Sequence, residues 1–162
     1  MASNNKNGVT LKHIHESNVI EGFDDVTIDL ANRNTWQWLR QCKRLTHDTI
    51  QELNKRLTYH QAELDDMWRG TYRSRNRVRV MIAGREGASP KLVDALMDNW
   101  LLDLMSLTPK EAHIRFEKIH PFIDGNGRTG RMLMWWHQKQ IGEKATLISH
   151  DEVDDYYRWF ED

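Results

Sequence analysis

The sequence predicts a mainly α-helical domain with a small β-hairpin, on three observations. Apolar residues recur at three- and four-residue spacing in several stretches, two of the three prolines stand where helices begin, and strand-like alternation is concentrated in one short segment. With 162 residues and no internal repeat or break in composition, residues 1–162 are read as one domain, long enough to bury a sizeable core.

LKHIHESNVIE, from Leu11 to Glu21, reads as a short helix capped by Thr10 and closed by Gly22, where a left-handed residue ends the last turn. FDDVTIDLANRN, residues 23 to 34, mixes acids, asparagine and a few aliphatics without a sustained period, and reads as a surface connection. TWQWLRQCKRL and DTIQELNKRL place Trp, Leu and Ile at helical spacing and predict two amphipathic helices in a hairpin around Thr46. In RNRVRVMIAG, Arg77, Val78, Arg79 and Val80 alternate, which predicts a strand or hairpin arm. Ser89 and Pro90 open the next helix. Thr108, Pro109 and Glu111 open the one after it, as a capping box. RTGRMLMWWHQKQI reads as a helix that ends before Gly142, and DEVDDYYRWF as a final helix packing Val153, Tyr156 or Tyr157, and Phe160.

Composition narrows the partners. Lys and Arg (23) nearly balance Asp and Glu (24), so no global field draws the chain to nucleic acid or to an anionic membrane. No apolar run is long enough to span a bilayer. The lone Cys42 has no internal disulfide partner and the polar start lacks the apolar run of a secretory signal, so the cytoplasm is the expected compartment. Trp36, Trp38, Trp100 and Trp135 fall on apolar helical faces and are expected in the core. Arg73, Arg75, Arg77 and Arg79 are expected on the solvent face of the hairpin or at a docking surface, and the histidines show no spacing with cysteine that would argue for zinc.

HPFIDGNGRTGR, residues 120 to 131, carries chemistry that packing does not require. A helix enters at Ile119 and another leaves at about Arg128, with Gly125, Asn126 and Gly127 between them. Such a loop offers free N–H groups and a helix dipole to an anion. Arg128 and Arg131 share the first turns of the outgoing helix and suit phosphate oxygens. Asp124 is placed to hold Mg2+ beside those oxygens, and His120 to accept a proton from an attacking hydroxyl. Phosphoryl or nucleotidyl transfer follows. Gly125, Gly127 and Gly130 also fit a dinucleotide fingerprint, but that motif must follow a strand, whereas AHIRFEKI reads as helix and too little chain remains for a doubly wound sheet.

The stretch resembles the Fic motif, HPFx(D/E)GNGRxxR, at every defined position. GTYRSRNRVRVMIAG is similar to the family's flap, KLVDALMDNWLLDL and AHIRFEKI to the helices before the motif, and residues 9 to 160 follow the pattern as a whole. The resemblance implies a helical fold with a hairpin flap over 70–84. It implies transfer of AMP from ATP, with Mg2+, to a Ser, Thr or Tyr hydroxyl of a target protein. His120 is then the general base, and Asp124 the metal ligand. Gly125, Asn126, Gly127 and Arg128 hold the α- and β-phosphates, and Arg131 the γ-phosphate. Arg77, Val78, Arg79, Val80, Met81 and Ile82 of the flap would dock the target as an added strand, and Tyr156 or Tyr157 would stand near adenine.

SNVIEG, residues 17 to 22, resembles the family's inhibitory motif (S/T)xxxE(G/N), which implies that Ser17, Glu21 and Gly22 form an inhibitory helix over 9–22 with Glu21 on Arg131. Phe23 and Trp135 depart from asparagines common in relatives. Two function classes result: an autoinhibited adenylyltransferase, with the chain itself a further target and a homo-oligomer left open, or a regulatory module that binds nucleotide without catalysis. Within enzymes, removal of AMP and UMP transfer are the alternatives.

Overall fold

The described residues, 7–82 and 84–161, of the computed structural model contain seven α-helices, one two-stranded sheet and short 3-10 turns. In chain order the helices and strands are α1 (Leu11–Ile20), α2 (Val26–Leu39), α3 (His47–Thr58), β1 (Met81–Ile82), β2 (Arg85–Glu86), α4 (Val93–Asp103), α5 (Pro109–Ile119), α6 (Asn126–Gln140) and α7 (Val153–Tyr157). The mainly helical fold with a small hairpin is therefore as the sequence predicts. Met132, Leu133, Met134, Trp135 and Trp136 are consecutive and all buried, and a helix apolar on every side has to be enclosed. Their helix, α6, is surrounded by α1, α3 and α5. Outside them α2 packs on α1 and α3, and α4 on α5. Trp36, Trp100 and Trp135 are core residues and Trp38 packs half-buried against them. The buried indoles of Trp100, Trp135 and Trp136 donate to the carbonyls of Ala112, Thr146 and Cys42 at 2.8–2.9 Å.

Local signals set several ends as expected. Thr108 and Glu111 close a reciprocal capping box at 3.2 and 2.9 Å, Thr46 caps α3, and Gly22 takes φ +87° just after α1. A 3-10 turn over Pro90–Leu92 precedes α4, with Ser89 and Pro90 at its start.

Residues 23–34 are a correction. They are not a surface connection but, from Val26 onward, helix α2, whose N-cap Asp25 accepts from the Thr27 N–H at 2.7 Å. The face that α2 turns to α1 is polar and buried, so no apolar period marks it. Asn18 Nδ2 donates to Asp29 (2.8 Å), Asn32 Nδ2 donates to Asn18 (2.7 Å), and His15 Nδ1 lies 2.7 Å from Asp29. This pairing ties α1 down. The helix read in TWQWLRQCKRL accordingly starts earlier and stops at Leu39. Asn18→Ala is expected to lower stability by about 1 to 3 kcal/mol, because it strands Asp29 and Asn32 inside the interface. Urea denaturation measures it, and a loss under about 0.5 kcal/mol would contradict the pairing.

The alternating stretch is a second correction. Pairing is confined to Met81↔Glu86 and Ile82↔Arg85, and residues 77–80 are not strand. Arg77 ends a 3-10 turn (Arg73–Asn76) at φ +54°, while Arg73 engages both polar backbone groups of Val78, so that residue has none left for a ladder. Arg73 is itself fully buried, not solvent-facing.

Candidate functional site

α5 ends where the motif begins. His120 caps it in the left-handed region (φ +52°) with its N–H on Phe116 O at 2.9 Å, which turns the ring back over the last helical turn. Arg73 fixes that turn from below. Its guanidinium donates to the carbonyls of His120 (2.6 Å), Ile119 (2.9 Å), Val78 (3.1 Å) and Ala88, and its own N–H reaches Pro121 O at 2.9 Å. Asn126 ties the loop across itself, accepting from Phe122 N–H at 2.9 Å and donating to Phe122 O at 2.8 Å, while the Phe122 ring is buried in the core.

α3 braces the loop from the other side. Asn54 donates to Asp124 O (2.9 Å), and a Cβ on Gly125, at φ +76°, would stand 2.6 Å from Thr58 and 2.9 Å from Asn54. Glycine is required there both by backbone and by space. Asp124 is exposed, with its carboxylate accepting from Gln61 Nε2 (2.8 Å) and from Gly125 N–H (2.7 Å).

The two arginines of the motif separate. Arg128 is buried against α3, donating to Leu57 O (3.0 Å) and Gln61 Oε1 (2.7 Å) beneath the ring of Phe23 at 4.7 Å. Arg131 is buried against α1. It donates to Ser17 Oγ (2.7 Å), Ser17 O (3.1 Å), Glu21 Oε1 (2.6 Å) and Tyr156 OH (3.3 Å). The Glu21 carboxylate also lies on the start of α6, since a Cβ on Gly127 would come within 2.2 Å of its Oε1. Glu21 thus sits where the helix dipole and Arg131 would receive an anion.

A cavity of about 870 Å³ joins these groups. Glu21, Gly127, His120, Arg131, Tyr156, Tyr157, Met81 and Ile82 all line it; Ser17, Gly22, Asp124, Asn126, Arg128 and Arg77 to Val80 do not. Gly22 shapes the turn after Glu21, and Ser17 holds Arg131 from behind. Of the tyrosine pair, Tyr156 is buried and Tyr157 is exposed at the rim.

Sequence reading missed two residues on α5. Glu117 and His113 are buried, four apart, beside the apolar positions Ala112 and Phe116. Ionisable groups on an apolar face were the available signal. His113 Nε2 lies 2.7 Å from Tyr156 OH, and burial, with the Arg131 charge, pushes its pKa down to about 3. Burial likewise pushes His120 down to about 4 and Glu117 up to about 8.

A stability consequence follows for Glu117. Between its unfolded value near 4.5 and about 8 the folded state holds a proton that the unfolded state has released, so stability falls as pH rises through that window. Glu117→Gln is expected to flatten this slope and raise the unfolding midpoint near neutral pH; an unchanged slope would show that Glu117 ionises freely.

The comparisons agree with this architecture. Residues 44–137 match the Fic/DOC family. A protein adenylyltransferase Fic of Nematostella vectensis is 30% identical over 163 residues, covering 95% of this chain and 36% of its own length. One from Drosophila grimshawi is 32% identical over 157 residues, covering 91% and 30%. A Fic domain containing signaling protein from Bacteroides thetaiotaomicron, of solved structure, superposes with a TM-score of 0.67 at 25% identity, over 88% of this chain and 62% of that one. The chain spans about a third of the length of the curated relatives it matches.

Proposed function

The chain belongs to the Fic/DOC family, and from that premise we propose that it is an autoinhibited protein adenylyltransferase, moving AMP from ATP to a Ser, Thr or Tyr hydroxyl of a protein. The observation that carries the reading is the convergence in one cavity of a half-buried, uncharged His120, the glycine start of α6 at Gly127, and Arg131 occupied by Glu21.

The residues divide the work. His120 is neutral at physiological pH because burial disfavours its cation, so it can take the proton of an entering hydroxyl. Gly127 and the backbone at the start of α6, framed by Gly125 and Asn126, receive the phosphates, while Arg128 keeps that turn seated on α3. Met81 and Ile82 form the cavity wall on the flap side, and Tyr156 and Tyr157 the aromatic wall opposite for the base. An exposed single carboxylate beside a phosphate-binding turn fits Mg2+, which takes one or two carboxylates and keeps its remaining places for water and substrate oxygens. Asp124 would hold it. When bound, the ion supplies charge neutralisation to the phosphates.

Glu21 competes with this. An Arg–carboxylate hydrogen bond contributes about 1.5 to 3 kcal/mol, so its removal is expected to strengthen productive ATP binding about ten- to a hundredfold. Lysate is incubated with the Glu21→Gly protein and ATP labelled in either the α- or the γ-phosphate. Protein is expected to acquire label from the α position alone. Label from the γ position would contradict AMP transfer and point to phosphorylation.

Among the described residues no helix is long and apolar enough to cross a membrane. Nor, among the described residues, is any group of three His, Cys, Asp or Glu side chains placed to hold a metal on protein ligands alone.

A further inference from the structure

At the floor of the cavity two neighbouring side chains each leave a buried atom without a hydrogen-bond partner among the described residues, His120 Nδ1 and Glu117 Oε1. His120 Nδ1 and the Glu117 carboxyl are 3.7 Å apart at their nearest, one helical turn from each other on α5. The nearer oxygen is Oε2, and the unpartnered Oε1 lies on the side of Gly130. Native proteins leave few such atoms, because each costs the hydration it gave up. An unpartnered Nδ1 only 3.7 Å from a buried carboxyl oxygen points to a bond made in another state of the site.

The opposite helix is cut to fit this carboxyl. Gly130 lies inside α6, where glycine is disfavoured relative to alanine. A Cβ there would come within 2.3 Å of Glu117 Oε1 and 2.9 Å of Phe116. Its backbone is helical, so no left-handed turn demands glycine; space for the carboxyl and its ring neighbours does.

We infer that Glu117 is a positioning residue for His120, its carboxyl oxygen accepting the Nδ1–H so that the Nε2 lone pair faces the cavity. This rests on the AMP-transfer reading above. Closing from 3.7 Å to hydrogen-bond length takes a ring and side-chain shift of about 1 Å. The hydroxyl proton of the target then passes to Nε2, leaving an imidazolium whose Nδ1–H stays on Glu117, while the hydroxyl oxygen bonds to the α-phosphorus and pyrophosphate leaves. A carboxyl so placed selects the tautomer and stabilises the cation that forms. The charged and titratable groups around Glu117 are His113 and His120 of α5, Arg131 of α6, Tyr156 and Tyr157 of α7, and Glu21 at the end of α1. Arg131 favours the carboxylate, and Glu21 opposes it. Removing Glu21 therefore also favours the acceptor form.

The test uses the Glu21→Gly protein, with Glu117→Met and Glu117→Gln added singly, because Met fills the space without an acceptor and Gln keeps a carbonyl. Initial AMP-transfer rates are compared between about pH 6 and 9, and the His120 ring nitrogens are followed by 15N NMR. Glu117→Met is expected to lower kcat on the order of ten- to a hundredfold with KM for ATP changed less than about twofold, and to abolish the single Nδ1–H tautomer. Glu117→Gln is expected to recover part of the rate. An unchanged rate, or a lower rate with the tautomer unaltered, would overturn the inference. Should Glu21→Gly itself transfer nothing, the AMP-transfer reading fails instead. The NMR comparison then still decides whether Glu117 sets the tautomer.

Discussion

His120→Ala in the Glu21→Gly protein is expected to lower AMP transfer by at least about a hundredfold, the lower end of what a positioned general base contributes. Among the described residues the ring is the only imidazole lining the cavity, and burial keeps it neutral and able to take a hydroxyl proton near pH 7; the nearby His113 is outside the lining and engaged with Tyr156. The same substitution tests the backbone, because His120 holds a left-handed φ of +52° and alanine resists that conformation by about 1 to 2 kcal/mol. Asparagine tolerates it. His120→Asn is therefore expected to lose activity as fully as His120→Ala while keeping more of the stability. Substantial transfer by His120→Asn would remove His120 from the role of base.

Arg73→Ala is expected to be the most destabilising single change in the loop region, at about 3 to 5 kcal/mol. One fully buried guanidinium satisfies the carbonyls of Val78, Ala88, Ile119 and His120, and so joins the flap segment to the turn at His120. Each lost bond leaves a buried acceptor without a donor. Lysine offers a point charge on a flexible stem instead of a planar fork, and Arg73→Lys is expected to retain less than half of the difference. Guanidinium denaturation of the three proteins measures this. A loss under about 1 kcal/mol for Arg73→Ala would show that water serves those carbonyls equally well.

How much of this was legible follows from the kind of contact. α5 was readable because Thr108, Pro109 and Glu111 act within one turn, and the loop after it because its glycines and charged residues sit in one short stretch. α2 was not, since the face it buries is built from Asp29 and Asn32, whose partners Asn18 and His15 lie on another helix. Composition reads such a face as surface. Arg73 failed the same way: its alternation with Arg75, Arg77 and Arg79 suggests solvent, and only the carbonyls of four other residues make burial favourable. The hairpin was overextended because Val78 spends its backbone on Arg73. Within the site, Gly127, His120, Arg131 and Glu21 were placed by motif, whereas Glu117 lies three residues before the motif begins, where a charge on an apolar face was the one signal and its distance to His120 gives it a place in the site.

The central claim is that Glu21, by holding Arg131 at 2.6 Å over the start of α6, keeps a competent transferase at rest. Its most direct measurement is the initial rate of AMP incorporation from α-labelled ATP by the unaltered protein, by Glu21→Gly and by Glu21→Gly with His120→Asn, over a range of ATP concentrations. The account predicts a rate near background for the first, a rise of about ten- to a hundredfold for the second and a return to background for the third. Equal rates for the unaltered and Glu21→Gly proteins, at every ATP concentration, would contradict it.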